Sequence, residues 1–225
     1  MAFAEQYRHP SDLPPRLPLF PLRGAILLPG STLPLNIFEP RYLEMIDDVM
    51  SGSRMLGLVQ PAGSDDEESP PGNTVPLRRI GGAGRVTSYQ ELDDGRIAIA
   101  LTGISRFEIV GEAESGRSYR TATVSYDRFA ADLTRGLGEE QVDRPRLIEA
   151  LRTYLEENNL KTDWSVIDRA PSEFLVNALC VMSPYGPEEK QALLEAADLK
   201  TRAEVLVALA EMESATRGGS GGTLQ

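Results

Sequence analysis

A run of apolar residues broken by prolines, residues 17–42, constrains this chain more than any other stretch. Proline lacks the backbone N–H that a helix or sheet interior uses, which confines it to strand starts, edges and bulges. The run therefore predicts two or three short strands, interrupted at Pro21, Pro29-Gly30 and Pro34, with a turn at Pro29-Gly30. From Pro40 the apolar spacing becomes helical and predicts a helix of about three turns.

Strand patterns continue through residues 75–127. Two of these strands flank Asp93-Asp94-Gly95, a combination typical of a hairpin because Asp and Gly tolerate the positive φ that such turns need. A further turn is expected at Gly103 or Ser105. Together with the earlier strands this makes roughly six to eight short strands, which favours a closed or half-closed barrel.

Three glycines, Gly81, Gly82 and Gly84, could suggest a phosphate-binding loop. Such a loop leads from a strand into a helix. These glycines lead instead into another strand pattern that begins at Arg85. The pattern therefore favours tight strand packing or a bulge.

The spacing of apolar residues turns from strand-like to helical between Arg128 and Asp143, and Asp143 is a predicted N-cap. Thr201 and Glu204 have capping-box spacing and predict the start of the last helix. We expect an α+β fold with a β-rich part followed by a small helical bundle. The predicted organisation is a flexible leader (1–15), a β-rich domain (16–128), a helical bundle (139–215) and a disordered tail (216–225).

The charge balance is acidic, since 23 Lys and Arg against 34 Asp and Glu give a net charge of −11. Nucleic acid and anionic lipid are bound by clustered Lys and Arg. The densest basic cluster is Arg78-Arg79, which is typical of solvated strand-end arginines. No stretch reaches the roughly 18–20 apolar residues of a membrane span, and the first residues lack a secretory signal pattern. We therefore expect a cytoplasmic protein with no nucleic acid and no membrane among its partners.

Patterns for catalysis or metal binding are sparse. The single cysteine, Cys180, excludes an intrachain disulfide and a Cys-based zinc site, and it lies on the apolar side of a predicted helix. The single histidine, His9, lies in the predicted leader. The acidic run Asp65–Glu68 is a candidate cation site, but it lacks the ligand spacing of a calcium loop. We expect no catalytic residue, no metal and no cofactor.

Three segments carry a resemblance to a known family. They are LPLFPLRGAILLPGSTLPLNIFEPRY at residues 17–42, IGGAGRV at 80–86 and NALCVMSPYGPEEKQALL at 177–194. The chain resembles the amino-terminal, substrate-recognition domain of Lon proteases, in the form found in short stand-alone Lon-domain proteins. The similarity is spread over residues 16–212.

The resemblance implies a PUA-like barrel, named after pseudouridine synthases and archaeosine transglycosylases, followed by helices. In Lon proteases this domain is associated with recognising exposed hydrophobic segments of damaged or tagged proteins. The sequence has neither the Gly-x-x-x-x-Gly-Lys-Ser/Thr motif of the ATPase nor the serine-lysine dyad of the protease. The resemblance therefore implies a non-catalytic module that binds unfolded or hydrophobic polypeptide segments. A role in protein quality control beside an ATP-dependent protease or chaperone is the corresponding hypothesis.

The candidate binding residues lie where the strand pattern gives way to the helix. Edge strands there leave backbone groups unpaired, and apolar side chains could line a groove for an added extended strand. The alternative interpretation is that the apolar members belong to the barrel core. The predicted peptide-binding residues are Leu35, Ile37, Phe38, Glu39, Arg41 and Tyr42.

Three other functions stay open at the level of the sequence. PUA-like domains often bind RNA, although the net charge of −11 opposes this. A related barrel serves as a small-molecule receptor in a eukaryotic ligase substrate receptor, but it uses an additional cysteine-ligated zinc domain. An unrecognised hydrolase is the third alternative.

Overall fold

The structure, a computed structural model, describes residues 7–63, 75–157 and 161–219. The acidic run Asp65–Glu68 lies outside these residues. Strands β1 to β6 are Arg16–Pro21, Thr32–Ile37, Met55–Val59, Ile80–Glu91, Ile97–Ala113 and Thr121–Ser125. Helices α1 to α6 are Pro40–Ser51, Arg144–Glu157, Trp164–Arg169, Ser172–Met182, Pro187–Glu195 and Leu199–Gly219.

The strands form one mixed sheet in the order β2-β5-β4-β3-β1-β6, and β5 also pairs with β6. The ring of β5, β4, β3, β1 and β6 therefore closes on itself, while β2 extends the sheet beside β5. Strands β1 and β3 run parallel, and the other pairs are antiparallel. The α+β class expected from the sequence is confirmed.

Strand β5 closes the ring because it pairs with β4 along residues 97–108 and with β6 along residues 108–113. The expected turn at Gly103 or Ser105 is wrong, since both residues lie inside this single strand. Ala83 pairs with Ser105 and Gly84 with Gly103, which leaves Ile104 as an extra residue on β5. Such a bulge bends and twists a strand without ending it. Strand β5 therefore bends at Ile104 and continues without a turn from its pairing with β4 to its pairing with β6.

Glycines let the segment between β1 and β2 lie directly against the sheet. A Cβ at Gly82 or Gly103 would lie 2.1 Å from the carbonyl oxygen of Leu27 or Leu28, respectively. A Cβ at Gly81 would lie 2.5 Å from the buried ring of Phe107. Side chains do not tolerate such distances, so the prediction of tight packing at Gly81, Gly82 and Gly84 is confirmed.

Helix α1 packs on the ring through Tyr42, Met45, Ile46 and Val49, all of which are buried. Pro40 occupies its first turn, as the sequence predicts, because proline needs no N–H there. The helix ends at Ser51 and is followed by Gly52. The 12 residues of α1 agree with the expected three turns.

The helices after β6 pack on the barrel through a common core. Ile26, Leu28 and Ile80 of the barrel side join a cluster with residues of the helices, including Val176 and Leu193. The buried area of such side chains is the main favourable term in folding. The β-rich and helical parts are therefore held together by apolar contacts.

Buried polar side chains also join the two parts. The Gln60 amide donates to the Pro187 carbonyl oxygen at 2.8 Å, and the Asn177 amide donates to the Pro29 carbonyl oxygen at 3.0 Å. Arg106 of β5 donates to the carbonyl oxygens of Leu194 and Ala196. Buried polar groups are stable when hydrogen-bonded in this way, and such bonds are directional. They fix how the helices sit on the barrel.

Three expectations about the two ends of the chain need correction. Residues 7–15 pack against the barrel, because Tyr7 and Leu13 are buried with the β1 and β6 side chains; residues 1–6 lie outside the described part. Helix α6 begins at Leu199, and Asp198 rather than Thr201 caps it by accepting from the Thr201 N–H at 2.8 Å. The helix continues to Gly219, past the expected start of the tail.

Candidate functional site

The predicted peptide-binding residues surround the junction of β2 and α1. Phe38 lies between the last residue of β2 and the N-cap of α1, and 65% of its side chain area is exposed. Aromatic residues are enriched at protein–protein interfaces relative to the rest of the surface. The structure thus places one predicted residue fully at the surface.

Two other predicted residues are in the core. Ile37 is 2% exposed and Tyr42 is 6% exposed. The Tyr42 ring packs edge-on against Phe20, with 4.5 Å between ring centroids, and burial raises the pKa of its hydroxyl. For these two residues the core interpretation is correct, because alternation along β2 turns Ile37 inward and helical spacing turns Tyr42 inward. They support the surface and do not form it.

The charged residues of the junction are paired with each other. Arg41 Nε donates to Glu39 Oε2 at 2.9 Å, and the Arg41 guanidinium lies 4.6 Å from the centroid of the Tyr42 ring. Both side chains are partly exposed, and Leu35 is partly buried. We call Leu35, Phe38, Glu39 and Arg41 the corner surface.

The edge of β2 adjoins the corner surface. Within the described residues β2 has one sheet neighbour, β5. The Gly103 N–H donates to the Ser31 carbonyl oxygen at 2.9 Å, and the ladder continues in the same register from Thr32 to Ile37. Along an antiparallel ladder, residues that hydrogen-bond to the neighbouring strand alternate with residues that do not. The polar main-chain groups of Thr32, Pro34 and Asn36 therefore point away from β5. Among the described residues no strand pairs with this edge, and Pro34 has no N–H to offer there.

A second surface feature is a cleft of about 710 Å³ between the barrel and the helices. A volume of this size is typical of ligand sites, roughly 300–1,000 Å³. Its walls come from β4, β5, the segment after β6 and the start of α4. Its lining residues include Pro29, Ile104, Leu133, Glu139, Glu173 and Phe174.

Two carboxylates tie the segment after β6 to α4 at one wall of this cleft. Glu139 Oε1 accepts from the Glu173 N–H at 2.9 Å, and Glu173 Oε2 accepts from the Gly136 N–H at 2.8 Å. Burial raises the pKa of Glu173, the Gly136 hydrogen bond opposes this, and the carboxylates of Glu139 and Asp132 raise it further. The wall therefore holds two carboxylates, and the cations Arg85 and Arg135 line the same cleft.

Asp132, also on the cleft wall, is compensated. Arg106 donates to both of its oxygens at 2.8 and 2.9 Å, and both side chains are almost fully buried. The guanidinium also stacks on Phe129, at 4.4 Å from the ring centroid. A paired, hydrogen-bonded arginine is stable in such an interior. This pair fixes the position of the segment after β6.

Sequence reasoning did not find the cleft, because its walls come from residues far apart along the chain. One signal was present in the sequence. The charged residue Arg106 lies in a strand pattern beside the apolar residues Ile104 and Phe107. A charged residue within a buried strand indicates a buried partner. That signal leads to Asp132 and the segment that lines the cleft.

The described part of the chain contains no cluster of three or more His, Cys, Asp or Glu side chains placed to hold a metal ion. Among the helices described, none combines the length and apolar character needed to cross a membrane.

Comparisons with known proteins agree on one family. Residues 16–211 match the family model of the ATP-dependent protease La (LON) substrate-binding domain. The chain is 25% identical over 211 residues to a Lon protease of Flavobacterium johnsoniae, covering 88% of this chain and 24% of the relative. It is 29% identical over 206 residues to Lon protease 2 of Sorangium cellulosum, covering 89% of this chain and 25% of the relative. The chain thus spans about a quarter of the length of these relatives.

Solved structures show the same fold. A Lon N-terminal domain protein from Xanthomonas campestris matches with a TM-score of 0.60 and 23% identity, over 86% of this chain and 97% of that one. The N-terminal domain of a Mycobacterium avium complex Lon protease matches with a TM-score of 0.58 and 17% identity, over 87% and 98%. The fold and the family model together lead to one conclusion: this chain belongs to the LON substrate-binding domain family.

Proposed function

We propose that this domain binds unfolded or hydrophobic polypeptide segments through the corner surface and catalyses no reaction on them. The observation that carries the proposal is the exposed ring of Phe38, held at the end of the open β2 edge. The family, named for substrate binding, supports a binding role.

The backbone of Phe38 is anchored on both sides, although its side chain is exposed. The residue before it, Ile37, is buried, and Pro40 two residues later starts α1. A ring displayed from rigid elements loses little conformational freedom on binding, which favours affinity. Complete burial of a Phe side chain contributes about 1.5–3 kcal/mol. One such contact would change affinity by roughly tenfold or more.

The β2 edge would add backbone hydrogen bonds to a client in extended conformation. Thr32 and Asn36 each direct an N–H and a C=O away from β5, whereas Pro34 directs a C=O alone. The ladder between β2 and a client strand would therefore lack one hydrogen bond. We expect side-chain contacts at Phe38 to contribute more to selection of clients than the backbone ladder does.

A binding role requires no nucleophile. Cys180 is the sole thiol of the sequence, and burial raises its pKa to about 12, which makes it a poor nucleophile at neutral pH. We further propose that the bound segments are passed to an ATP-dependent protease or a chaperone, in a quality-control role.

Binding of a reduced, unfolded model protein and of fluorescent apolar peptides tests the proposal, with the same protein in its native state as a negative control. Phe38→Ala is expected to weaken binding by about tenfold. Val110→Ala is the matched control, because Val110 is 64% exposed on β5 and lies outside the corner surface. Tyr42→Ala is unsuitable, since it would leave a hole beside Phe20 in the core.

Circular dichroism of both variants checks that they are folded. Equal binding by the wild type, Phe38→Ala and Val110→Ala would exclude the corner surface. Absence of binding to any unfolded chain would overturn the binding function itself. Turnover of casein by the purified chain without an ATPase would contradict the non-catalytic role.

A further inference from the structure

Two leucines of β2, Leu33 and Leu35, lie at a sheet edge that has a neighbouring strand on one side. Leu33 pairs with Leu101 of β5, and Leu35 pairs with Ile99 of β5. Both leucines pack against the barrel core, yet each is only half-buried. Strand β5 covers one side of them, and no described strand lies on the other side. Part of their apolar surface is therefore available to a strand that adds to β2.

The residues that alternate with these leucines have the opposite character. Thr32, Pro34 and Asn36 carry exposed side chains, and they direct their polar main-chain groups away from β5. Along β2, the residues that could hydrogen-bond to a client are therefore the exposed ones. The residues that could give a client apolar contacts are the ones between them.

A client strand that runs antiparallel to β2 would meet this alternation along its whole length. Client residues opposite Thr32, Pro34 and Asn36 would form hydrogen-bonded pairs, with their N–H groups donated to β2 and their side chains on the exposed face. Client residues opposite Leu33 and Leu35 would form non-hydrogen-bonded pairs, in which side chains of the two strands approach most closely. Apolar side chains at these two places would cover the leucines and extend the core.

We propose that the β2 edge selects unfolded segments in which apolar and polar residues alternate, so that apolar side chains at positions i and i+2 cover Leu33 and Leu35. Such a pattern is typical of a half-buried β-strand, which a client protein exposes when it unfolds. The inference rests on the proposed function, because it names the class of polypeptide that the domain binds. Phe38, beyond the end of β2, adds a single apolar contact that does not by itself require alternation.

Two fluorescent peptides of identical composition test this selection, with binding measured by anisotropy. In one peptide the apolar residues alternate with polar ones, and in the other they have the spacing of a helix. We expect the alternating peptide to bind roughly tenfold tighter. The double variant Leu33→Thr, Leu35→Thr keeps residues that favour strands but removes the apolar surface, so it should bind the two peptides equally.

Val110→Thr is the matched control, because Val110 is 64% exposed on β5 and lies away from β2 pairing. It should retain the preference for the alternating peptide. Circular dichroism checks that both variants are folded.

N-methylation of the alternating peptide tests the ladder with the wild-type domain. Methyl groups on the backbone nitrogens of the polar residues remove the donors to β2 and should weaken binding roughly fivefold or more. The N–H groups of the apolar residues point away from β2, so their methylation should change affinity by less than about twofold. Equal effects of the two sets of methyl groups would contradict the predicted ladder and overturn the inference.

Other results would also overturn it. They are equal binding of the two peptides by the wild type, tighter binding of the peptide with helical spacing, or a preference that survives the double variant. A dimer of the domain that the double variant dissociates would assign the edge to a second copy. In these cases the proposed function stands if an unfolded protein still binds and Phe38→Ala weakens that binding. If neither peptide nor an unfolded protein binds, both the proposed function and this inference fail.

Discussion

Replacement of Gly82 by alanine tests one of the two closest approaches of the main chain to a glycine among the described residues. The added Cβ would lie 2.1 Å from the carbonyl oxygen of Leu27 and 2.9 Å from its carbonyl carbon. Both atoms belong to the main chain, so no change of side-chain rotamer relieves the contact. Strand β4 and the segment after β1 must move apart.

The required movement is about 1 Å, because Cβ contacts below about 3 Å essentially do not occur in proteins. Gly82 is held from both sides, by Leu58 of β3 and Arg106 of β5. Overpacking of a well-packed interior costs about 1–3 kcal/mol. Alanine also lowers the conformational entropy of the unfolded chain, which stabilises the folded state by about 0.5–1 kcal/mol. Because the main chain itself must move, the upper end of the overpacking cost applies, and we expect a net loss of about 2 kcal/mol in the free energy of unfolding.

Urea unfolding followed by circular dichroism measures this loss as a lower midpoint with an unchanged slope. Gly111→Ala in β5 is the matched control, because nothing lies within 4 Å of its Cβ position and its φ is not in the left-handed region. We expect this control to change stability little. Equal midpoints for the two variants would refute the close approach of Leu27 to β4.

Two further predictions concern buried charges. Burial lowers the pKa of Lys190 from 10.5 to about 8, so between these values the unfolded chain binds more protons and stability rises with pH. Lys190→Met should remove this rise, measured by urea midpoints from pH 8 to about 9.5, before tyrosine ionisation contributes. A rise that persists in the variant would assign it to other groups. Asp132→Asn leaves the buried charge of Arg106 uncompensated and should lower the free energy of unfolding by about 3–5 kcal/mol. Asp94→Asn, which breaks the exposed pair with Arg96, should shift the midpoint little; equal effects would contradict the buried ion pair.

Local features of the fold were predictable from the sequence because their causes are local. Proline at the start of α1, the turn at Asp93-Asp94-Gly95 and the cap at Asp143 each depend on a few adjacent residues. Asp143 accepts from the Arg146 N–H at 3.1 Å, as an N-cap does. The family resemblance likewise rests on contiguous segments, and the family model confirms it.

Features that depend on distant partners were not predictable. Gly103 is a turn residue by type, but its place opposite Leu28 makes it a contact inside a continuous strand. Ile37 and Phe38 are adjacent apolar residues, and which of them faces the core depends on the register between β2 and β5. The cleft joins Pro29 to Glu173, residues that only the packing of the helices on the barrel brings together.

The missing N–H of Pro34 has a consequence for self-association. Two copies that met edge to edge through β2 would each lack this donor, so the symmetric contact loses two hydrogen bonds. A client strand without proline at that place loses one. At about 0.5–1.5 kcal/mol for each bond, the edge favours a guest over another copy of the domain. The missing N–H of Pro34 therefore disfavours pairing of the β2 edge with the β2 edge of a second copy of the domain.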